Sequence, residues 1–152
     1  MPSTWTKEFN DIIRYHIFAN DELKELMMIP DGTNIITFID RYFIRAGYTS
    51  KVLSDENVRI VYSNSSSELG NTPHVLRQIL SFEIYVKTEH IHNVGTDRLM
   101  FRTNLIADKL IEILTKDRIG AFKFYCVGET EMGTSAIGYS RYNVTFMYMR
   151  TV

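Results

Sequence analysis

The stretch Leu80-Ser81-Phe82-Glu83-Ile84-Tyr85-Val86-Lys87 decides the fold class. Leu80, Phe82, Ile84 and Val86 share one parity, and Ser81, Glu83, Tyr85 and Lys87 share the other. On an extended chain, a period of two sends the first set to one face and the second to the opposite face. A strand half in a core and half in water reads this way, and antiparallel sheets supply that setting.

The same alternation recurs on either side. Upstream, Val58, Ile60 and Tyr62 alternate with Arg59, Val61 and Ser63. Downstream, Tyr139 to Thr151 sets Tyr142, Val144, Phe146 and Tyr148 against Arg141, Asn143, Thr145 and Met147. Phe122 to Val127 predicts a fourth strand, joined to the last in a broad hairpin through a polar loop around Met132-Gly133-Thr134. Asn64 to Asn71 reads as a polar loop rich in serine.

Between the strand pairs, Asp97 to Lys116 carries helical periodicity. Leu99, Thr103, Ile106, Leu110 and Ile113, with Ala107 and Leu114 beside them, form one apolar stripe. Thr96 or Asp97 suits its cap, and Glu112 and Lys116 have the favourable spacing of four. Residues 1–47 predict further helices. In the first, Phe9, Ile12, Ile13, His16 and Ile17 recur at threes and fours, with Ser3 or Thr4 as cap and Glu8 in the first turn. His16 is expected to be a satisfied, partly buried histidine. A short second helix faces Leu23, Leu26 and Met27 inward, capped by Asn20 or Asp21. Pro30-Asp31-Gly32 breaks the chain. Asn34 to Ala46 fits a helix through Ile35, Phe38, Ile39, Tyr42 and Phe43, with Thr33 as cap and Gly47 as stop, although its β-branched and aromatic content also suits a strand.

These elements predict a single α+β domain over 1–152. Residues 58–152 form a four-stranded, mainly antiparallel sheet with one long helix packed on a face, and 1–47 add the N-terminal helices. A chain of 152 residues hides roughly 68–70% of its unfolded surface on folding, enough for a real core.

Seventeen basic residues stand against eighteen acidic ones. This balance gives no concentrated basic field for nucleic acid. One cysteine, Cys126, forms no disulfide within the chain, and as a strand residue it is expected to be buried. Met1 to Ile13 has no signal-peptide layout and no apolar run approaches a membrane span, so the chain is expected to be made and kept in a cytosol or assembled from there.

Chemical motifs are sparse. His90 and His92 are one residue apart in Thr88-Glu89-His90-Ile91-His92-Asn93-Val94-Gly95-Thr96-Asp97 and would share a face on a strand. A zinc site needs about three or four ligands, however, and Cys126 and His74 lie in unrelated segments. Exposed histidines in a connection are the expected reading. Glu129 and Glu131 would point the same way, as an acid–base pair must, but at a polar hairpin end they are expected to be solvated. Asp55-Glu56 reads as a loop or cap pair. No glycine-rich phosphate loop, metal motif or nucleophile elbow occurs, and no cofactor is expected.

Aromatic content is the unusual feature. Nine tyrosines and nine phenylalanines accompany one tryptophan, and Tyr85, Arg141, Asn143, Thr145, Met147 and Met149 fall on the wetter strand faces. Tyr, Arg and Met are enriched where proteins meet proteins. The chain therefore leans toward protein binding, with Tyr85, Arg141, Asn143 and Met147 as candidate contacts.

The layout then resembles a known family. The segments IPDGTNIITFIDRYFIRAG (29–47), VRIVYSNSSS (58–67), LSFEIYVKTEH (80–90), DRLMFRTNLIADKLIEIL (97–114) and GYSRYNVTFMYM (138–149) are similar in order to tail-terminator, or tail-completion, proteins of long-tailed bacteriophages. The resemblance implies a small α+β subunit without catalysis. Its ring, most often a homohexamer, caps the last ring of the tail-tube protein, stops polymerisation and offers a docking face for the head connector or stopper. It implies a virion location, in the tail or neck, after synthesis in the host cytoplasm. The loops Ser63 to Thr72 and Gly128 to Ile137 are then contacts to tube or connector, through Asn64, Ser65, Ser66, Glu68, Glu129, Glu131 and Thr134. The alternatives are another head–tail joining or neck protein, a small metal-dependent enzyme using His90 and His92, and a nucleic-acid binder, which the charge balance disfavours.

Overall fold

The computed structural model describes residues 4–46, 56–69, 75–92, 101–120, 122–134 and 138–151. The N-terminal region holds α1 (Thr4–Phe18), α2 (Asp21–Leu26) and a one-turn α3 (Ile35–Thr37). A long helix, α4 (Arg102–Thr115), lies between two strand pairs. The strands are β1 (Phe43–Arg45), β2 (Val58–Leu69), β3 (Val75–Lys87), β4 (Tyr125–Thr134) and β5 (Tyr139–Thr151).

They make one five-stranded mixed sheet in the order β1-β2-β3-β5-β4. Only β1 runs parallel, aligning Phe43 to Arg45 with Ile60 to Tyr62. The expected α+β class stands, with one strand more than expected. The extra strand comes from Asn34 to Ala46, which starts as the helix expected there. Asn34, not Thr33, caps it, accepting from the Thr37 amide at 2.8 Å. The backbone then widens into a π-turn over Phe38–Tyr42 and becomes extended at Phe43. Stacking of Phe43 on Tyr62, with ring centroids 4.7 Å apart, rewards the switch to strand.

One hydrophobic core fills the space between helices and sheet. Phe9, Ile13 and Ile17 of α1, Leu23 of α2 and Ile106, Ala107, Leu110 and Leu114 of α4 enter it with Met27, which follows α2. The sheet contributes Ile60, Tyr62, Leu80, Phe82, Ile84, Val86, Val144, Phe146 and Tyr148. The parity read from residues 80–87 is the parity of burial. Phe9 stacks on Tyr148 at 4.7 Å, fixing α1 against β5.

Three other expectations are corrected. Cys126 is exposed, because it lies on β4, the strand at the rim of the sheet. His16 is also exposed, although its Nε2 lies 3.3 Å from the Ile113 carbonyl oxygen. And α4 begins at Arg102, since Phe101 is extended, with φ −84 and ψ 144. The caps Thr96 and Asp97, with Leu99, His74 and Gly47, lie outside the described residues.

Candidate functional site

The described helices share one core with the inward side chains of the sheet, and beyond one end no described helix lies on the opposite face. Reading across the register, its rows are Arg59, Tyr85 and Arg141; Val61, Glu83 and Asn143; and Ser63, Ser81 and Thr145; then come Ile79 and Met147. Tyr125 and Thr130 extend two of these rows onto β4. At one end the face is roofed. Arg59 is buried and its Nε donates to the Arg41 carbonyl at 3.1 Å, while Arg41 pairs with Glu56 at 2.9 Å. Tyr139 is buried there too, donating its hydroxyl to the Glu56 carbonyl. Beyond that roof, Val61, Ile79, Ser81, Glu83, Tyr85, Arg141, Asn143, Thr145 and Met147 are all half-buried.

Polar side chains on this face are held by one another. The Tyr85 hydroxyl donates to Glu83 Oε2 at 2.7 Å. Asn143 donates to Ser81 Oγ at 3.0 Å and accepts from Thr145 Oγ1 at 2.9 Å. Arg141 reaches the Met132 carbonyl at 3.5 Å. Burial and then the Glu83 carboxylate push the Tyr85 phenol above its ordinary pKa, and Arg141 pulls it back. A neutral phenol between an anion and a cation is a fixed donor and acceptor, so these side chains present an ordered surface with little rotamer freedom left to lose on binding.

The structure brings four expected contacts, Tyr85, Arg141, Asn143 and Met147, onto this face together, and Thr145 with them. It separates the rest. Asn64 aligns with the buried Leu80, and its Oδ1 accepts from the Tyr148 hydroxyl at 2.9 Å. Glu129 aligns with the buried Val144 and accepts from Tyr142 at 3.2 Å. Glu131 aligns with Tyr142, again away from the open face.

The two expected loops are strand over most of their length. Ser65 pairs with Ile79 and Ser66 with Gln78, a register shift spans Glu68, and Thr134 pairs with Ser140. Low strand propensity yields there to a long partner strand that keeps the backbone paired. Residues 70–72 and 135–137 lie outside the described residues. The contribution of Glu83 and Ser81 was legible in residues 80–87, where both fall on the parity of Tyr85.

His90 and His92 sit in a turn. His90 closes a 3₁₀ turn over Thr88–His90, its carbonyl accepts from Arg102 Nε at 3.0 Å, and its ring lies 3.5 Å from the Glu89 carboxylate. His92 is exposed and meets the Phe101 ring edge-on at 4.9 Å. A cleft of about 380 Å³ beside it has His92, Glu131 and Arg141 among its lining. Among the described residues no cluster of three or more His, Cys, Asp or Glu is placed to hold a metal ion. No helix among them is long and apolar enough to cross a membrane.

The described residues thus define an α+β fold with a mixed five-stranded sheet, one face of which carries hydrogen-bonded polar and aromatic side chains. The chain matches the YomW family over residues 10–148 and belongs to it, a phage-associated family. No curated protein matches the chain.

Proposed function

We propose that this protein is a structural subunit of a phage particle that assembles into a ring at the tail–head junction. The ring caps the tail tube, halts its growth and offers a docking face for the head connector, and it turns over no substrate. The observation that carries the reading is the open sheet face. Tyr85, Arg141, Asn143 and Met147 stand there among polar side chains already fixed by hydrogen bonds. Such a face suits a rigid neighbour of complementary shape. Membership of a phage-associated family supports the setting, and the order of elements resembles tail-completion proteins.

Electron microscopy of the purified protein, alone and mixed with tail tubes, tests this. Closed rings, or rings formed only at tube ends, are the expected images. A stable isolated dimer that ignores tubes overturns it. Binding to the connector with no affinity for tubes reassigns the protein to another place in the neck.

A further inference from the structure

The sheet ends on one side in β4, where every side chain from Tyr125 to Met132 is exposed. Among the described residues five large hydrophobic side chains stand open to solvent, and Tyr125, Val127 and Met132 of β4 are three of them. The inner side of β4 pairs with β5 from Tyr125 to Thr134, and among the described residues no strand pairs with its outer side. A row of backbone N–H and C=O groups faces outward there, and an extended backbone is what matches such a row. Natural edges are commonly closed by Lys, Pro, other charges or bulges; Tyr125 to Thr134 has no Lys or Pro, and carries two glutamates and register shifts between Cys126 and Gly128 and between Glu131 and Gly133.

Among the described residues the sheet has a second edge at its opposite end that is paired only in part. There β1 spans three residues and aligns only with Ile60 to Tyr62. Beyond it Ser63 to Leu69 continues as β2, paired inward with β3 and, among the described residues, with no strand outside. This stretch, SNSSSEL, also lacks Lys and Pro and carries one charge, Glu68. Each copy thus presents both halves of a head-to-tail junction, the kind of contact that closes into a ring. A two-fold junction of β4 with β4 centred on Thr130 would set Glu129 of one copy opposite Glu131 of the other. Like charges directly opposite destabilise a strand pair. Laying β4 on Ser63 to Leu69 sets both carboxylates against a mostly neutral strand.

We propose that β4 of one copy adds to the Ser63–Leu69 edge of β2 in the next, so that the sheet runs on from subunit to subunit. This rests on the ring reading and names its junction.

Cys126, exposed on β4 and the sole cysteine, is a built-in probe. Asn64→Cys and Ser66→Cys, which share the face of Cys126 in the register, are introduced in turn and oxidised with copper phenanthroline, then run on a non-reducing gel. At least one should give a ladder of covalent multimers beyond the dimer, and adding Cys126→Ser should abolish it. The double variant Val127→Lys/Thr130→Lys, checked for folding by circular dichroism, should raise the concentration of half-assembly about tenfold or more, read by light scattering. If it misfolds, the ladder decides. Should the wild type form multimers while no ladder appears and the double variant assembles normally, the edge junction falls and the ring reading stands. Covalent dimers without a ladder from Thr130→Cys in a Cys126→Ser background, where the two-fold sets the two copies of position 130 face to face, overturn it in favour of the two-fold junction. A chain monomeric at every concentration, with and without tail tubes, overturns both.

Discussion

Met28 stands at φ 57, the only non-glycine residue among those described with a positive φ. It closes α2. The Ile29 amide donates to the Lys24 carbonyl and the Met28 amide to the Glu25 carbonyl, both at 3.0 Å. This is the Schellman arrangement, which usually carries glycine at the left-handed position. Methionine there costs about 1–2 kcal/mol of backbone strain, offset by a side chain packed against the core. A β-branched residue tolerates that φ worse. Met28→Val should therefore lower stability by a further ~1 kcal/mol, measured as a shift in urea midpoint at unchanged slope. Tyr148 offers a second test. Its ring stacks on Phe9 while its hydroxyl serves Asn64. Tyr148→Phe keeps the stack and should cost about 1 kcal/mol, where Phe82→Ala, emptying the core centre, should cost about 3–5.

At the scale of elements, Arg102 ties three segments. It is buried, its Nε donates to the His90 carbonyl, and its Nη1 donates to the Leu26 carbonyl at 2.7 Å. Burial lowers its pKa. The end of α2, the turn after β3 and the start of α4 therefore meet on one guanidinium. Arg102→Met should cost about 2–4 kcal/mol, because two carbonyls lose a charged donor. Arg102→Lys should recover only part of that, since an ammonium cannot fork in the same plane; thermal midpoints of the two variants decide.

The same segment shows where the sequence was legible and where it was not. Periodicity named the buried residues of β3, β5 and α4 because burial acts on every second or every third and fourth residue. It placed Tyr85, Arg141, Asn143 and Met147 on one surface for the same reason. It could not show that α4 starts at Arg102, because that boundary is set by carbonyls distant in sequence. Serine and glycine made Asn64–Leu69 and Gly128–Thr134 look like loops. Their polarity signalled water at the outer reach of two hairpins, and the partner strand supplied the pairing that local preference lacks. The strand at Phe43 answered to Tyr62, outside any local window.

For the whole molecule, charge adds modest, pH-dependent stability. Lys109 on α4 reaches both Glu22 of α2 and Glu112. Hydrogen bonds to Glu22 and then Glu112 raise the Lys109 pKa, and the bond from Lys109 lowers that of Glu112. A depressed carboxylate stabilises the fold above its unfolded pKa, near 4.3, and that gain is lost as pH falls through the lower folded value. A raised lysine stabilises below its unfolded pKa, and that gain fades only as strong alkali is approached. Lys109→Met should therefore reduce stability modestly at pH 7, since solvent screens the exposed carboxylates. The gap from wild type should narrow by pH 3 in urea titrations.

The central seam joins β3 to β5 and aligns Val75 with Thr151 and Lys87 with Tyr139, with α4 and β4 lying between in the chain. The pairs β2–β3 and β4–β5 are near neighbours in sequence and close over short distances. Zipping β3 to β5 must instead gather a helix and a hairpin into one encounter before any contact repays the lost chain entropy. We expect that encounter to set the pace of folding: Phe82→Ala and Phe146→Ala, which lie in the seam, should slow refolding, whereas Val127→Ala on the outer strand should mainly hasten unfolding. A chain emerging from the ribosome carries an incomplete sheet until β5 is free, so commitment to the native topology waits for that strand.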